Sequence, residues 1–202
     1  RMPDEAARHR RTWMAFGAQR SIWGRRLTPH VQENLGLIAQ TIAAYEPVSM
    51  LVRADEMERA REVCGPDVEL VECPIDDLWV RDTGAVFVAD GEGRRGAVDF
   101  NFNGWGKKQA HGRDAQVAGI MAEHSGVPTI ATDICMEGGG VEVDGEGTAI
   151  ITESCTLIRN RNPGVGREEF EAEMERLLGV TKVIWLPGVK LSLIHISEPT
   201  RR

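Results

Sequence analysis

Several features that would place the chain in a common functional class are missing from its 202 residues. No run of apolar residues is long enough to span a bilayer, which argues against a transmembrane helix. The histidines form no H-x-x-H or HExxH pattern and the cysteines no C-x-x-C pair, so neither a helical metal site nor a redox motif is expected. The formal charge of -7 argues against nucleic acid and anionic membranes as partners, because both require a basic face.

What is present is typical of a soluble globular protein, with 42% apolar and 27% charged residues. The acidic balance is compatible with a small cationic substrate. We predict four buried, unpaired thiols in the reducing cytoplasm. These are Cys64, Cys73, Cys135 and Cys155. No signal peptide is visible, but a start at Arg1-Met2-Pro3 is compatible with a missing natural N-terminus.

The last residues, 191–201, resemble the translated read-through of a transposase adapter used in sequencing libraries. The resemblance runs over eleven consecutive residues. We therefore expect residues 191–202 to be a non-native tail, to be excluded from fold reasoning like a fusion scar, and give His195 no functional weight. The natural sequence then breaks off near Lys190, and residues 1–190 are expected to be part of a longer protein.

The remaining chain predicts an α/β protein in which one order of elements recurs with a period of about 54 residues. Each copy has a β-hairpin around the tetrapeptide Asp-Gly-Glu-Gly, at 90–93 and 144–147, then a helix and a strand. The predicted helices are 31–45, 55–63, 111–125 and 167–178, and the other predicted strands are 48–53, 68–73, 129–134 and 182–186. Such periods indicate a radial or stacked array, with sites where the repeats converge.

A carboxylate stands before each hairpin, which brings two acids to equivalent positions. Asp82 lies in Trp79-Val-Arg-Asp-Thr-Gly, and Glu137 begins Glu-Gly-Gly. Two such carboxylates can grip a guanidinium through its planar fork of donors, and Trp79 can lie against the cation. Taken alone, Asp82 also fits a turn or capping residue and Trp79 a core residue.

Three further segments each have two interpretations. Trp105, in Asn-Gly-Trp-Gly, either closes over a ligand from a flexible loop or packs as an ordinary loop tryptophan. Asp76 and Asp77 either bind a cation or form a solvated pair, and we favour the solvated pair. The sequence 91–96 satisfies G-x-G-x-x-G, but a strand follows where a dinucleotide site needs a helix, so we interpret it as a hairpin turn.

In combination these phrases resemble the agmatine deiminase and bacterial peptidyl-arginine deiminase family. The resemblance runs in order from residue 2 to about 188. Its phrases are Met2-Pro, Thr12-Trp-Met-Ala, Trp79-Val-Arg-Asp-Thr-Gly, Asn103-Gly-Trp-Gly, Glu137-Gly-Gly, Asn160-Arg-Asn-Pro and Val183-Ile-Trp-Leu-Pro. It implies a pentein fold, here a partial α/β-propeller of hairpin-helix-strand repeats, in which residues 1–190 are the N-terminal portion of one catalytic domain. The family usually has proline where this chain has Ala85.

The resemblance also implies hydrolytic deimination of a small cationic guanidine, with agmatine the expected substrate and no metal or organic cofactor. Asp82 and Glu137 would hold the guanidinium, and Trp79 and Trp105 would form pocket walls. The family's histidine segment and nucleophilic cysteine are absent, so we expect this polypeptide to be inactive and poorly stable. A homo-oligomer of the full-length protein is left open.

Two alternatives stay open. The substrate could instead be free or peptidyl arginine, because the part of the pocket that meets the far end of the substrate is largely absent. From another class, the chain could be a noncatalytic guanidine-binding or scaffold protein of the same fold.

Overall fold

The computed structural model describes residues 1–188 as a mixed α/β fold. The strands are β1 (Thr12–Ala15), β2 (Val48–Val52), β3 (Val68–Glu72), β4 (Val86–Ala89), β5 (Arg95–Asp99), β6 (Thr129–Ala131), β7 (Val141–Val143), β8 (Thr148–Thr152) and β9 (Lys182–Leu186). The helices are α1 (Arg20–Ala43), α2 (Met57–Cys64), α3 (Val80–Thr83), α4 (Gly104–Lys107), α5 (Val117–His124), α6 (Glu153–Thr156) and α7 (Arg167–Leu178). Among these helices none is long and apolar enough to cross a membrane. The predicted tail, 191–202, lies outside the described residues.

The chain divides into two compact units. Among the described residues, the first unit contains 8–80 and 112–117, and the second contains 1–7, 81–111 and 118–188. In the first unit, β1, β2 and β3 form a parallel sheet in that order. All five residues of β2 are buried, as expected for the centre of a parallel sheet. Its core joins the sheet to α1 and α2 through Phe16, Ala39, Val48, Met50, Val52, Ala60, Cys64 and Val68.

The second unit contains two sheets with the same topology. Each has an antiparallel hairpin followed by a parallel third strand: β4-β5-β6 and β7-β8-β9. The two Asp-Gly-Glu-Gly turns also match: Asp90 accepts the N–H groups of Glu92 and Arg94, and Asp144 those of Glu146 and Thr148, at 2.8–2.9 Å. The predicted hairpin-helix-strand repeat is therefore present in both copies.

One hydrophobic core serves both sheets of the second unit. It joins strand residues to α7 through Val86, Val88, Val98, Phe100, Ile134, Met136, Val141, Ala149, Ile151, Phe170, Met174, Leu177, Leu178 and Val180. The alternation of buried and partly exposed residues along β4 and β8 places one face of each strand in this core. This packing holds β4 and β7, the strands that follow the segments with the two candidate carboxylates.

Several predicted boundaries were wrong. The N-terminal arm contains β1, and α1 begins well before residue 31, running through Pro29 with a break at Gly24, where φ is 72°. The segment 76–84, for which the sequence predicts a loop, contains the single turn α3. A 3-10 turn, Asp114–Gln116, replaces the start of the predicted helix 111–125. These elements are short or interrupted, so the hydrophobic period that would reveal them is missing.

Candidate functional site

Asp82 lies in α3, immediately before β4, with its side chain half-buried. Its Oδ2 accepts the indole N–H of Trp105 at 2.9 Å, and the backbone N–H of Gly139 also donates to the carboxylate. Burial raises the pKa of Asp82, while these two donors and the charges of Arg81 and Arg161 act in the opposite direction. Both hydrogen-bond donors are neutral, so the carboxylate is oriented without being neutralised.

Trp105 is a buried residue on a tightly held loop, with 3% of its surface exposed. Its backbone has φ 56°, in the left-handed region that a non-glycine residue rarely adopts. The loop is closed by Asn103, whose side chain accepts the N–H of Gly106 at 2.7 Å, and Phe102 packs edge-on to the indole at 4.9 Å. Of the two interpretations offered by the sequence, the packed loop tryptophan is the one observed. The packing also aims its N–H at Asp82.

Glu137 is 1% exposed and forms a buried ion pair with Arg161. The Nε of Arg161 lies 2.8 Å from Oε1 and 3.1 Å from Oε2, and its Nη2 lies 2.8 Å from Oε1. Burial raises the pKa of Glu137, Asp82 adds to that effect, and Arg161 opposes it. Sequence reasoning missed Arg161 as a site residue, and no spacing rule connects it to Glu137.

The two motifs meet through the glycines that follow Glu137. A Cβ on Gly139 would collide with Oδ1 of Asp82, and one on Gly138 would lie 2.6 Å from the carbonyl oxygen of Arg81. The Glu-Gly-Gly segment therefore packs directly on the Asp82 turn because it has no side chains there. The structure thus brings Asp82, Trp105 and Glu137 together in the second unit. Their roles towards a substrate stay predictions.

Trp79 belongs to the first unit, where it is 39% exposed. Its indole N–H donates to Oδ2 of Asp77 at 2.9 Å, and that of Trp23 to Oδ1 at 3.0 Å. The two rings are stacked 6.3 Å apart. The prediction of a solvated aspartate pair is wrong for Asp77, which is 3% exposed because the two indoles cover it. The predicted contact of Trp79 with a guanidinium stays a prediction.

A second buried carboxylate in the first unit holds the segment that precedes Trp79. Oδ1 of Asp114 accepts the N–H of Asp76 at 2.7 Å, and Oδ2 of Asp76 accepts the N–H of Arg113 at 2.9 Å. Asp114 is 1% exposed, and burial raises its pKa to about 6. No local sequence pattern predicts these two hydrogen bonds, because the partners are nearly forty residues apart.

All four cysteines are buried and none forms a disulfide, which confirms the expectation of buried thiols. Burial raises the pKa of Cys64, Cys73 and Cys135 to about 11. Cys135, two residues before Glu137, directs its thiol to the carbonyl oxygen of Asn101 at 3.1 Å. A thiol of this kind carries almost no thiolate at neutral pH and is a poor nucleophile.

The fold is similar to that of solved deiminases. Residues 1–196 match the family model of the Porphyromonas-type peptidyl-arginine deiminases, and the chain belongs to this family. It is 42% identical over 193 residues to the agmatine deiminase of Ectopseudomonas mendocina, covering 92% of this chain and 52% of that protein. It is 40% identical to the agmatine deiminase of Stutzerimonas stutzeri over 92% of this chain and 52% of the relative.

Solved structures give the same result. The agmatine deiminase of Enterococcus faecalis superposes with a TM-score of 0.86 at 33% identity, covering 92% of this chain and 52% of that chain. The chain therefore spans about half the length of the relatives it matches.

Proposed function

We propose that the protein is a C–N hydrolase that deiminates agmatine to N-carbamoylputrescine and ammonia, and that this chain supplies the carboxylate part of the guanidine site. The similar proteins named agmatine deiminase support the reaction. We also propose that its three three-stranded sheets are modules of a partial α/β-propeller, as the family resemblance implies.

The observation that carries the proposal is the state of Asp82. Its carboxylate is half-buried and held by neutral donors, whereas Glu137 already has Arg161 as its cation. Arg81, whose charge also acts on Asp82, is paired with Glu5 and Glu142. The two carboxylates and the guanidinium of Arg161 therefore leave one negative charge at the site. A single planar cation bound at Asp82 would neutralise the site and form charge-assisted hydrogen bonds.

In the proposed reaction, a cysteine thiolate attacks the guanidinium carbon and a histidine protonates the departing ammonia. Water then attacks the thiouronium carbon, which releases the ureido product and restores the thiolate. Asp82 keeps the guanidinium charged and oriented, and Trp105 keeps Asp82 in place. The four buried thiols of this chain are unsuited to the nucleophilic step. The nucleophile is therefore not expected to be one of these four cysteines.

The description of the matching family favours a second candidate, the guanidinium of peptidyl arginine. The same carboxylate would hold it, because agmatine and arginine share this group. A peptide with a central arginine should then bind more tightly than agmatine. A noncatalytic guanidine-binding protein would use the same site and would differ only in lacking turnover by the full-length protein.

Isothermal titration calorimetry of the 202-residue chain with agmatine tests the proposal. We expect Asp82→Asn to weaken binding at least tenfold, since it removes a charge-assisted pair worth about 1.5–3 kcal/mol. Asp133→Asn is the matched control: it removes the same charge from an exposed residue of the same unit and should leave binding unchanged. N-carbamoylputrescine, which lacks the guanidinium charge, should bind more weakly than agmatine. Equal affinities for wild type and Asp82→Asn would refute the role of Asp82.

A further inference from the structure

The loop between α6 and α7 contacts the candidate site through Arg161, which pairs with Glu137. We propose that Arg161 is a positioning residue for the guanidine site, which fixes Glu137 as a carboxylate so that the site presents one uncompensated negative charge, at Asp82. The inference rests on the proposed function and adds the residue that sets the charge of the site.

The geometry of the pair is that of a built contact. The side chains of Arg161 and Glu137 are only 3% and 2% exposed, and three N···O contacts of 2.8–3.1 Å join them. A buried carboxylate whose cation is removed becomes an uncompensated charge, which costs several kcal/mol or takes up a proton. Arg161 therefore decides the protonation state of Glu137.

The two neighbours of Arg161, Asn160 and Asn162, hold the same loop against the segments that carry Trp105 and Glu137. Asn162 donates to the carbonyl oxygen of Cys135 and accepts its N–H, each at 2.8 Å, and so fixes the chain just before Glu137. Asn160 donates to the carbonyl oxygen of Gly106 at 3.0 Å and thereby fixes the Trp105 loop. Arg161 is thus delivered to Glu137 from a segment that the two asparagines hold on either side.

The charged groups that act on Glu137 are Arg161, which favours its ionised form, and Asp82, which disfavours it. Without Arg161, burial and the neighbouring Asp82 would both raise the pKa of Glu137 and favour its protonated form. The positive charge of bound agmatine would then favour partial release of that proton. With Arg161 in place, the site carries its single charge without exchanging protons.

Proton release on agmatine binding distinguishes this role from a purely structural one. It is measured by calorimetry at pH 6.5 in two buffers of different ionisation enthalpy. We expect a value near zero for the wild-type chain and for Arg161→Lys, and a measurable release of less than one proton for Arg161→Met. Around pH 6.5 the affinity of Arg161→Met for agmatine should rise with pH, by up to about tenfold per pH unit. Arg176→Met is the control, because it breaks an exposed Arg–Glu pair in the same unit.

Two further variants keep the test decisive if Arg161→Met fails to fold. Glu137→Gln leaves Arg161 uncompensated beside Asp82 and should weaken agmatine binding at least tenfold. The double variant Glu137→Gln/Arg161→Met restores a net charge of minus one and should bind agmatine within about threefold of wild type, independent of pH. Equal affinities of the single and double variants would overturn the inference.

The proposed function and the inference fail in different ways. A wild-type chain that binds no agmatine would overturn the proposed function alone. Carbon-13 NMR of the Glu137 carboxyl, without ligand, then tests the inference by itself. Arg161→Met should shift the titration of Glu137 to higher pH, and Arg161→Lys should return it towards wild type. An unchanged titration in Arg161→Met would overturn the role of Arg161.

Discussion

Replacing Asp114 by asparagine should stabilise the chain at neutral pH. Burial raises the pKa of Asp114 from the ordinary 3.8 to about 6. A raised pKa means that the folded chain binds a proton more tightly than the unfolded chain, so stability falls as pH rises from about 4 to 6 and stays low above that range. The difference corresponds to ~3 kcal/mol at most. An asparagine oxygen can still accept the N–H of Asp76, at a cost of ~1 kcal/mol for a weaker neutral acceptor. The net expected gain at pH 7 is ~2 kcal/mol.

Urea unfolding of wild type and Asp114→Asn, followed by circular dichroism at pH 4 and pH 7, measures this difference. The gain should appear at pH 7 and vanish at pH 4, where the wild-type carboxyl is largely protonated. Asp90→Asn is the control, because hydrogen bonds to Arg94 and to backbone N–H groups lower the pKa of this exposed aspartate. Its substitution should destabilise the chain at pH 7, the opposite sign. Asp114→Asn with the same free energy change at both pH values would show that burial of this carboxyl does not govern stability.

Two further predictions follow from the close packing around the site. Gly139→Ala should weaken agmatine binding at least tenfold with the fold retained, since its methyl group would displace Oδ1 of Asp82. Gly119→Ala is the control, because its added methyl group meets open space and should leave binding unchanged. Equal binding by both variants would contradict the close contact of Gly139 with Asp82. The four thiols should not react with Ellman's reagent in the native chain and should all react after unfolding, because each is buried. Rapid labelling of even one thiol in the native state would contradict its burial.

The sequence predicted the repeated part of the fold because local chemistry repeats there. Each Asp-Gly-Glu-Gly turn is stabilised by its own aspartate, so the same tetrapeptide forms the same hairpin at Asp90 and Asp144. The meeting of Asp82 with the Glu137 segment was predictable for the same reason, since equivalent positions of repeats lie at equivalent strand ends. The first sheet was not recognised as a third sheet because its strands are all parallel and contain no hairpin signal.

The partners of the carboxylates were not predictable from sequence. Arg161 reaches Glu137 from a loop 24 residues away, and Trp105 reaches Asp82 across 23 residues, through contacts that follow no helical or strand period. The local sequence predicts a surface position for Asp77, but in the structure the indoles of Trp23 and Trp79 cover its carboxylate. Such contacts depend on tertiary packing, which overrides local polarity. Only a structure shows that one carboxylate is already neutralised and the other is not.

A crystal structure of the 202-residue chain with agmatine bound tests the central claim most directly. The account predicts the guanidinium on the Asp82 carboxylate, with two N–H···O contacts of ~2.8 Å and the Arg161–Glu137 pair intact. A guanidinium bound to Glu137 with Arg161 displaced, or bound away from both carboxylates, would contradict it.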